Sequence, residues 1–298
     1  MDSLGRPRRS LLYMPGSNAR ALEKARTLAA DGLILDLEDA VAPDAKALAR
    51  DQVCAAVAAG AYGRREVAIR VNGLDTAWAK DDIAAAAAAG PDAIVLPKVE
   101  SAAIVGEFEA LIEAGGAPAT TGMWFMIETP LGVLRAAEIA AVSRRATCFV
   151  MGTNDLAKEL QAAHTYAREP MLISLGLCIL AARAHGLAIV DGVHNDLQDE
   201  DGFRAACIQG RELGVDGKTL IHPKQIAPCN EAFAPTADEI ESAHRIVDAF
   251  SQAEAEGKGV VVVDGRLVEN LHVENARRLI TMKQAIEALE ATGASNDN

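Results

Sequence analysis

A chain of 298 residues, half of them apolar, can bury a full core as one large α/β domain or two ordinary ones. A net charge of −13 leaves no general basic face, which argues against nucleic acid or an anionic membrane as partner while allowing a few local cations. Five scattered cysteines without a CxxC pair, no signal-type apolar segment and no membrane-length apolar run predict a cytoplasmic protein with reduced thiols.

Strand-like and helix-like segments then alternate along the chain. SLLYM (10–14) precedes NARALEKARTLAA, LILDLE (33–38) precedes DAKALARDQVCAAVAA, and VAIRV (67–71) precedes AWAKDDIAAAAAA. AIVLPKV (93–99) precedes AAIVGEFEALIEA, and MWFMIE (123–128) precedes GVLRAAEIAAV. CFVMG (148–152) leads through a longer loop to PMLISLGLCILAARAHG, LAIVDG (187–192) to DGFRAACIQGRELG, and KTLIH (218–222) to TADEIESAHRIVDAFSQAEAEG. Eight such units in about 250 residues predict a (β/α)₈ TIM barrel over residues 8–257. A doubly wound open sheet is the competitor, but no G-x-G-x-x-G follows the first strand.

Residues 258–298 read differently. VVVVDGRLVEN (260–270) has the hairpin signal Asp264-Gly265 between two short strands, and HVENARRLITMKQAIEALE (272–290) is helical. A lone hairpin is marginal in water, so this C-terminal extension is expected to dock on its own barrel or on a neighbouring subunit's. It then serves either as a clasp or as a lid over an active site.

Barrel enzymes place their chemistry where the strands exit. Polar residues gather there: Asp36, Glu38 and Asp39 after the second strand, Arg70 and Asn72 after the third, Lys98 after the fourth, Glu128 after the fifth. Asn154 and Asp155 follow the sixth, Asp191 and His194 the seventh, Lys218 and His222 the eighth, whereas the opposite strand ends begin with ordinary loop residues. The run TGMWFMIETP (121–130) is central: a strand apolar on both faces ends in one carboxylate, Glu128, and stops at Thr129-Pro130. A charge there needs a partner. CFVMGTND closes in the same way on Asp155, so two acids on successive strands can share a divalent ion. With only oxygen donors on offer, the ion is Mg²⁺ or Mn²⁺, and its open positions go to a chelating substrate.

Structural alternatives stand beside each of these. Glu128 can pair with Arg70, Asp155 can cap the helical DLAKEL, and Arg70 can pair with Glu38 or Asp39 instead of offering its planar fork to a substrate carboxylate. In DLEDA, period-two alternation sends Asp36 and Glu38 to one face and Leu35 and Leu37 to the other. Lys98 either balances charge near the metal or is solvated; lone loop histidines such as His194 and His222 carry a weaker signal. In the first loop, Gly16 and Ser17 precede an expected N-cap, Asn18, and Arg20 and Lys24 lie four apart on one helix face. Such a helix start can hold phosphates, or be a solvated basic face balanced by Glu23.

The strings LYMPGSNARALEKA, LILDLEDAVAPDAK, IRVNG, IVLPKVES, MIETPLGV and GTNDL, in this order and spacing, resemble the citrate lyase β-subunit and malyl-CoA lyase family of CoA-ester lyases, within the HpcH/HpaI aldolase superfamily. The resemblance runs from residue 8 to about residue 285. It implies a Mg²⁺-dependent barrel that cleaves or forms the C–C bond between a thioester enolate and a 2-oxo acid. It places Glu128 and Asp155 at the metal, and Arg70 at the substrate carboxylate and enolate oxygen. Arg20 and Lys24 fall where CoA phosphates approach, and an acid of DLEDA, Asp39 being the candidate, orients water or relays protons. It further implies a homotrimer or homohexamer whose tails cover neighbouring sites.

One departure stands out. Family tails usually carry an Asp after a GK-M-[IV] run, where this chain reads DGRLVEN and places Glu269. A carboxylate displaced near 1 Å can cost ~10²-fold, which puts a thioesterase step in doubt more than C–C cleavage. The expected activity is therefore cleavage of a malyl-, citramalyl- or citryl-CoA type thioester to an acyl-CoA and a 2-oxo acid. A malyl-CoA-type thioesterase and a β-subunit acting only within a citrate lyase complex are the alternatives; a CoA-free aldolase gives the basic first loop no purpose.

Overall fold

The computed structural model describes residues 5–293. By compactness the chain forms two units, one spanning Arg8–Phe233 and the other built from the flanking segments, of which residues 5–7 and 234–293 are described.

In the larger unit eight parallel strands close into a barrel, each paired with the next and the first with the last. They are β1 (Ser10–Pro15), β2 (Gly32–Asp36), β3 (Glu66–Arg70), β4 (Ala93–Leu96), β5 (Gly122–Ile127), β6 (Ala146–Met151), β7 (Ala188–Asp191) and β8 (Gly217–Leu220). All eight sequence-predicted strands are present, and the TIM-barrel expectation holds. The helices between them are α1 (Ala19–Lys24), α2 (Lys46–Ala59), α3 (Ala79–Ala89), α4 (Ala102–Ala114), α5 (Pro130–Leu134), α6 (Ala136–Ala141), α7 (Thr153–Glu159), α8 (Glu169–Ala184), α9 (Glu200–Leu213) and α10 (Ile226–Phe233).

Strand parity creates two cores. Leu33, Leu35, Ile69, Phe125, Phe149 and Ile189 face outward into the layer shared with the helices. Leu11, Ile34, Ala68, Val95, Trp124 and Val190 face the lumen, which they fill rather than leave as a pore. The entry ends of the strands are not the plain loops expected from sequence. Two buried ion pairs lie there: Arg8 forks onto Glu66 at 2.6 and 2.7 Å, and Arg9 onto Asp31 at 2.9 and 2.8 Å.

The helix that follows β8 is the short α10, which carries Pro228 in its first turn and buries Ile226, Cys229 and Phe233. The longer helix expected in that position, α11 (Ala237–Ala255), groups with the second unit, so the division by compactness falls at 233/234 rather than at 257/258. Thr236 and Glu239 cap α11 reciprocally, at 3.2 and 2.7 Å. In the same unit β9 (Val261–Val263) and β10 (Arg266–Val268) form the expected hairpin, followed by α12 (Asn270–Gly293). Both turn residues, Asp264 and Gly265, are left-handed, with φ of 49° and 75°, as a two-residue hairpin requires. Phe250, Val268 and Val273 form this unit's own small core. Among the described residues no helix is long and apolar enough to cross a membrane.

Candidate active site at the strand exits

The parity that fills the lumen also selects who enters its mouth. Tyr13, Asp36, Arg70 and Glu128 lie two residues beyond the lumen-facing Leu11, Ile34, Ala68 and Met126, and therefore point the same way. Asp191 and Lys218 have the opposite parity. They meet behind the barrel wall, where Asp191 accepts from Lys218 at 2.9 Å and from Arg168 at 2.6 Å. Burial pushes the Asp191 pKa up, but Lys218 and Arg168 together hold it below the ordinary carboxylate range. This is a satisfied structural triad: Asp191 ends β7, but Lys218 is the second residue of β8 rather than a residue of its exit, and neither faces the mouth.

Arg70 is 5% exposed and almost wholly committed. Its Nε and Nη2 donate to Asp36 at 2.7 and 2.6 Å, and Nη1 lies 2.8 Å from Glu38. The guanidinium centre stands 4.8 Å over the Tyr13 ring. Asp36 also accepts the backbone N–H groups of Glu38 and Ala40, at 2.9 and 3.1 Å, and so shapes the DLEDA turn. The Nη1 edge of Arg70 is shared between Glu38 and the Met126 sulfur, to which it donates at 3.7 Å. Of the three acids, Asp36 and Glu38 turn inward as period-two alternation requires. Asp39 stays outside, its side chain 69% exposed and 3.6 Å from Arg70. Of these two neighbouring acids, Glu38 faces the mouth and Asp39 does not.

Glu128 is 2% exposed, and Arg70 is taken by Asp36 and Glu38 rather than by it. One Glu128 oxygen accepts the Lys98 backbone N–H at 2.9 Å. Lys98 reaches that geometry by adopting left-handed backbone, φ 53°, which is costly for a residue with a Cβ and is typical of functional sites. The other oxygen lies over Gly152 at the exit of β6, where a methyl group would overlap both Cβ and Oε2 of Glu128. Thr129, accepting from Gly132 at 3.1 Å, and Pro130 then start α5, which explains why the strand stops at IETP. Burial is the main reason the Glu128 pKa is pushed up to about 8, with the charges of Glu38 and Asp155 adding to it. Burial likewise pushes Glu38 up to about 7, against the pull of Arg70.

Asp155 lies half-buried in the first turn of α7. The N-cap of that helix is Gly152, so Asp155 is not the cap. Its charge acts on Glu128 and on the half-exposed Lys98, whose ammonium also lies 4.0 Å from Glu38. Facing the mouth, four carboxylates (Asp36, Glu38, Glu128, Asp155) thus meet two cations (Arg70, Lys98). A buried carboxylate with a raised pKa, a glycine cradle under its free oxygen and an excess of acids together fit a hard dication. Among the described residues no three His, Cys, Asp or Glu side chains form a closed cage, so such an ion would rest on two carboxylates and keep open positions.

The first loop docks through Gly16, whose N–H donates to the Asp36 carbonyl at 2.9 Å; a Cβ there would meet that oxygen at 2.6 Å. Asn18 caps α1 as expected, accepting from Ala21 at 3.1 Å. Arg20 and Lys24 are both exposed, and Glu23 pairs with Arg26 at 2.7 Å rather than with either of them. His222 caps the turn at Pro223–Gln225, and His194 packs edge-on against Phe203. Asn154 and Asn195 exchange amide hydrogen bonds at 3.2 and 2.9 Å, tying the exit loops of β6 and β7. A cavity of about 500 Å³ opens beside them, next to the site and lined in part by Thr153, Asn154, Arg168 and His194. In the second unit, Asp264 pairs with Arg245 at 3.1 Å and Glu269 is exposed.

Sequence reasoning missed Lys46. Buried at the start of α2, it donates to the carbonyls of Leu37 and Glu38 and to Asn72, all within 2.8 Å, and stitches the DLEDA turn to β3. A lysine opening a helix carries no pattern that marks it as buried. Tyr13 was also missed, although its parity with Leu11 was available.

Residues 9–223 match the HpcH/HpaI aldolase/citrate lyase family. A (3S)-malyl-CoA thioesterase from Cereibacter sphaeroides is 53% identical over 286 residues, covering 96% of this chain and 98% of the relative. An L-malyl-CoA/beta-methylmalyl-CoA lyase from the same species is 34% identical over 307 residues, covering 95% and 96%. The solved structure of CitE from Mycobacterium tuberculosis in complex with magnesium, acetoacetate and coenzyme A superposes with a TM-score of 0.74 at 27% identity, covering 92% of this chain and 97% of that one. The barrel, its acidic mouth and these relatives agree: the chain belongs to the HpcH/HpaI aldolase/citrate lyase family.

Proposed function

We propose that the protein is a Mg²⁺-dependent enzyme of malyl-CoA-type thioesters that hydrolyses the thioester to free CoA and the hydroxy diacid. The observation that carries this reading is Glu128, buried at the exit of β5 and held by the Lys98 amide against Gly152, with Asp155 nearby. The thioesterase that is 53% identical over nearly the whole chain supports hydrolysis over C–C cleavage. The mycobacterial CitE complex, which holds magnesium and coenzyme A, supports the cation and the carrier.

Glu128 and Asp155 would hold the ion, which when bound supplies a Lewis acid for the acyl oxygens. The Nη1 edge of Arg70, fixed by Asp36, lies where negative charge collects on the thioester oxygen; an oxyanion donor of this kind contributes ~10²-fold. Glu38, with a pKa near neutrality, is suited to accept the proton of the attacking water. Water oxygen bonds to the acyl carbon, the C–S bond breaks, and the CoA thiolate leaves to be protonated. Arg20 and Lys24, unclaimed by Glu23, receive CoA phosphates.

C–C cleavage is the second reading, favoured by the lyase relative and by an arginine placed equally well to steady an enolate oxygen. Incubation with (3S)-malyl-CoA and Mg²⁺ separates the two. Hydrolysis releases free thiol and malate with no glyoxylate, whereas cleavage releases glyoxylate and acetyl-CoA with no free thiol. EDTA is expected to stop either, and turnover that survives chelation contradicts the metal-dependent reading.

A further inference from the structure

We propose that Tyr13 is a substrate-binding residue whose hydroxyl, buried without a hydrogen-bond partner at the floor of the barrel mouth, donates to an oxygen of the bound acyl group. The inference rests on the reading of the site above and adds to it a residue contacting the substrate.

Tyr13 is the fourth residue of β1 and tops the lumen cluster, so its ring closes the apolar core from above. Arg70 lies over that ring at 4.8 Å. The charges acting on the hydroxyl are Arg70, Asp36, Glu128 and Glu38, all of which belong to the mouth. The hydroxyl is buried, yet among the described residues it has no hydrogen-bond partner. A buried polar group left unpaired is destabilising, and the few that occur in folded proteins call for a reason. Trp124 Nε1 is also unpaired, but it lies in the lumen beneath Arg8, whose guanidinium is 5.6 Å from the ring, near the strand entries and out of reach of a ligand. Tyr13 sits at the end where a ligand arrives.

The chemistry specifies a donor. Burial raises the hydroxyl pKa, Arg70 lowers it, and Asp36, Glu128 and Glu38 raise it further, leaving it above its ordinary value and protonated. The surrounding carboxylates would also accept this proton, but among the described residues none is aligned to do so. The acceptor it suits is therefore an acyl oxygen brought beside Arg70. The tyrosine thus both supports the guanidinium from below and contacts the ligand.

Tyr13→Phe removes the hydroxyl and keeps the ring. The experiment measures KM and kcat with (3S)-malyl-CoA, the affinity for (3S)-malate with Mg²⁺ present, and the Tm of the metal-free protein. The expected result is a KM and a malate Kd weaker on the order of 10-fold to 100-fold, as for loss of a hydrogen bond to a charged acceptor. The Tm is expected to be unchanged or higher, because an unpaired buried hydroxyl has been removed. Unchanged KM and Kd overturn the inference, as does a lower Tm, which reveals a structural partner. Wild-type protein that neither hydrolyses nor cleaves malyl-CoA overturns the functional reading and this inference with it. An active wild type with an identical variant overturns this inference alone.

Discussion

Glu128 is a carboxylate that the fold makes unfavourable to ionise. Its pKa of about 8, against an ordinary value of 4.5, means that the ligand-free protein prefers it protonated. The sign follows from linkage: a raised folded-state pKa gives stability that is full below about 4.5 and is lost as pH rises through about 8. Metal-free protein should therefore lose Tm between pH 5 and pH 8, a loss that Mg²⁺ should reverse at pH 8 and not at pH 5, because the cation binds the deprotonated group. Glu128→Gln, which keeps shape and removes charge, should flatten that dependence and lower kcat by ~10²-fold or more. Differential scanning calorimetry across pH checks the first effect, and thiol release from malyl-CoA the second. A wild-type Tm that rises from pH 5 to pH 8 without metal would contradict the account. At this scale the sequence was partly legible. Glu128 and Arg70 followed from a charge ending an apolar run. The inward turn of Asp36 and Glu38 followed from period-two alternation, whereas the choice of Asp39 among the acids of DLEDA rested on the resemblance alone.

Two loops position these side chains. The β4 exit bends left-handed at Lys98 to aim an amide at Glu128, and the β6 exit offers Gly152 as the surface on which that carboxylate rests. Gly152→Ala forces a methyl group into Cβ and Oε2 of Glu128, so it should cost more activity than Lys98→Ala, which keeps the backbone N–H. The expected loss for Gly152→Ala is ~10²-fold in kcat with weakened metal affinity, since displacement near 1 Å suffices for that. Equal activity of Gly152→Ala and wild type would show that the contact is not functional. The strands, the hairpin and the long helices were readable from period and turn chemistry. The short α10 and the break between α5 and α6 were not, because helices of 5 to 8 residues carry too few apolar positions to set a period.

Across the whole barrel, chemistry and stability occupy opposite ends. At the exits one Glu38 oxygen and the Tyr13 hydroxyl have no hydrogen-bond partner among the described residues, while the entries hold Arg8–Glu66 and Arg9–Asp31, buried and forked. Arg8→Met leaves Glu66 charged and buried, at a cost of about 3–5 kcal/mol, so it should lower Tm sharply and leave KM unchanged. A raised KM in that variant would break the division between the two ends. Counting strand-helix units revealed the barrel, because each unit repeats the same local pattern. The lumen-facing set needed parity, and Asp191 and Lys218 were misplaced for want of it. The proposed function depends on Glu128 and Asp155 sharing one divalent cation. Titration of the metal-free protein with Mn²⁺, followed by electron paramagnetic resonance, tests this directly. The account predicts one site per chain in the wild type, lost in Glu128→Gln and in Asp155→Asn; unchanged Mn²⁺ binding in both variants would contradict it.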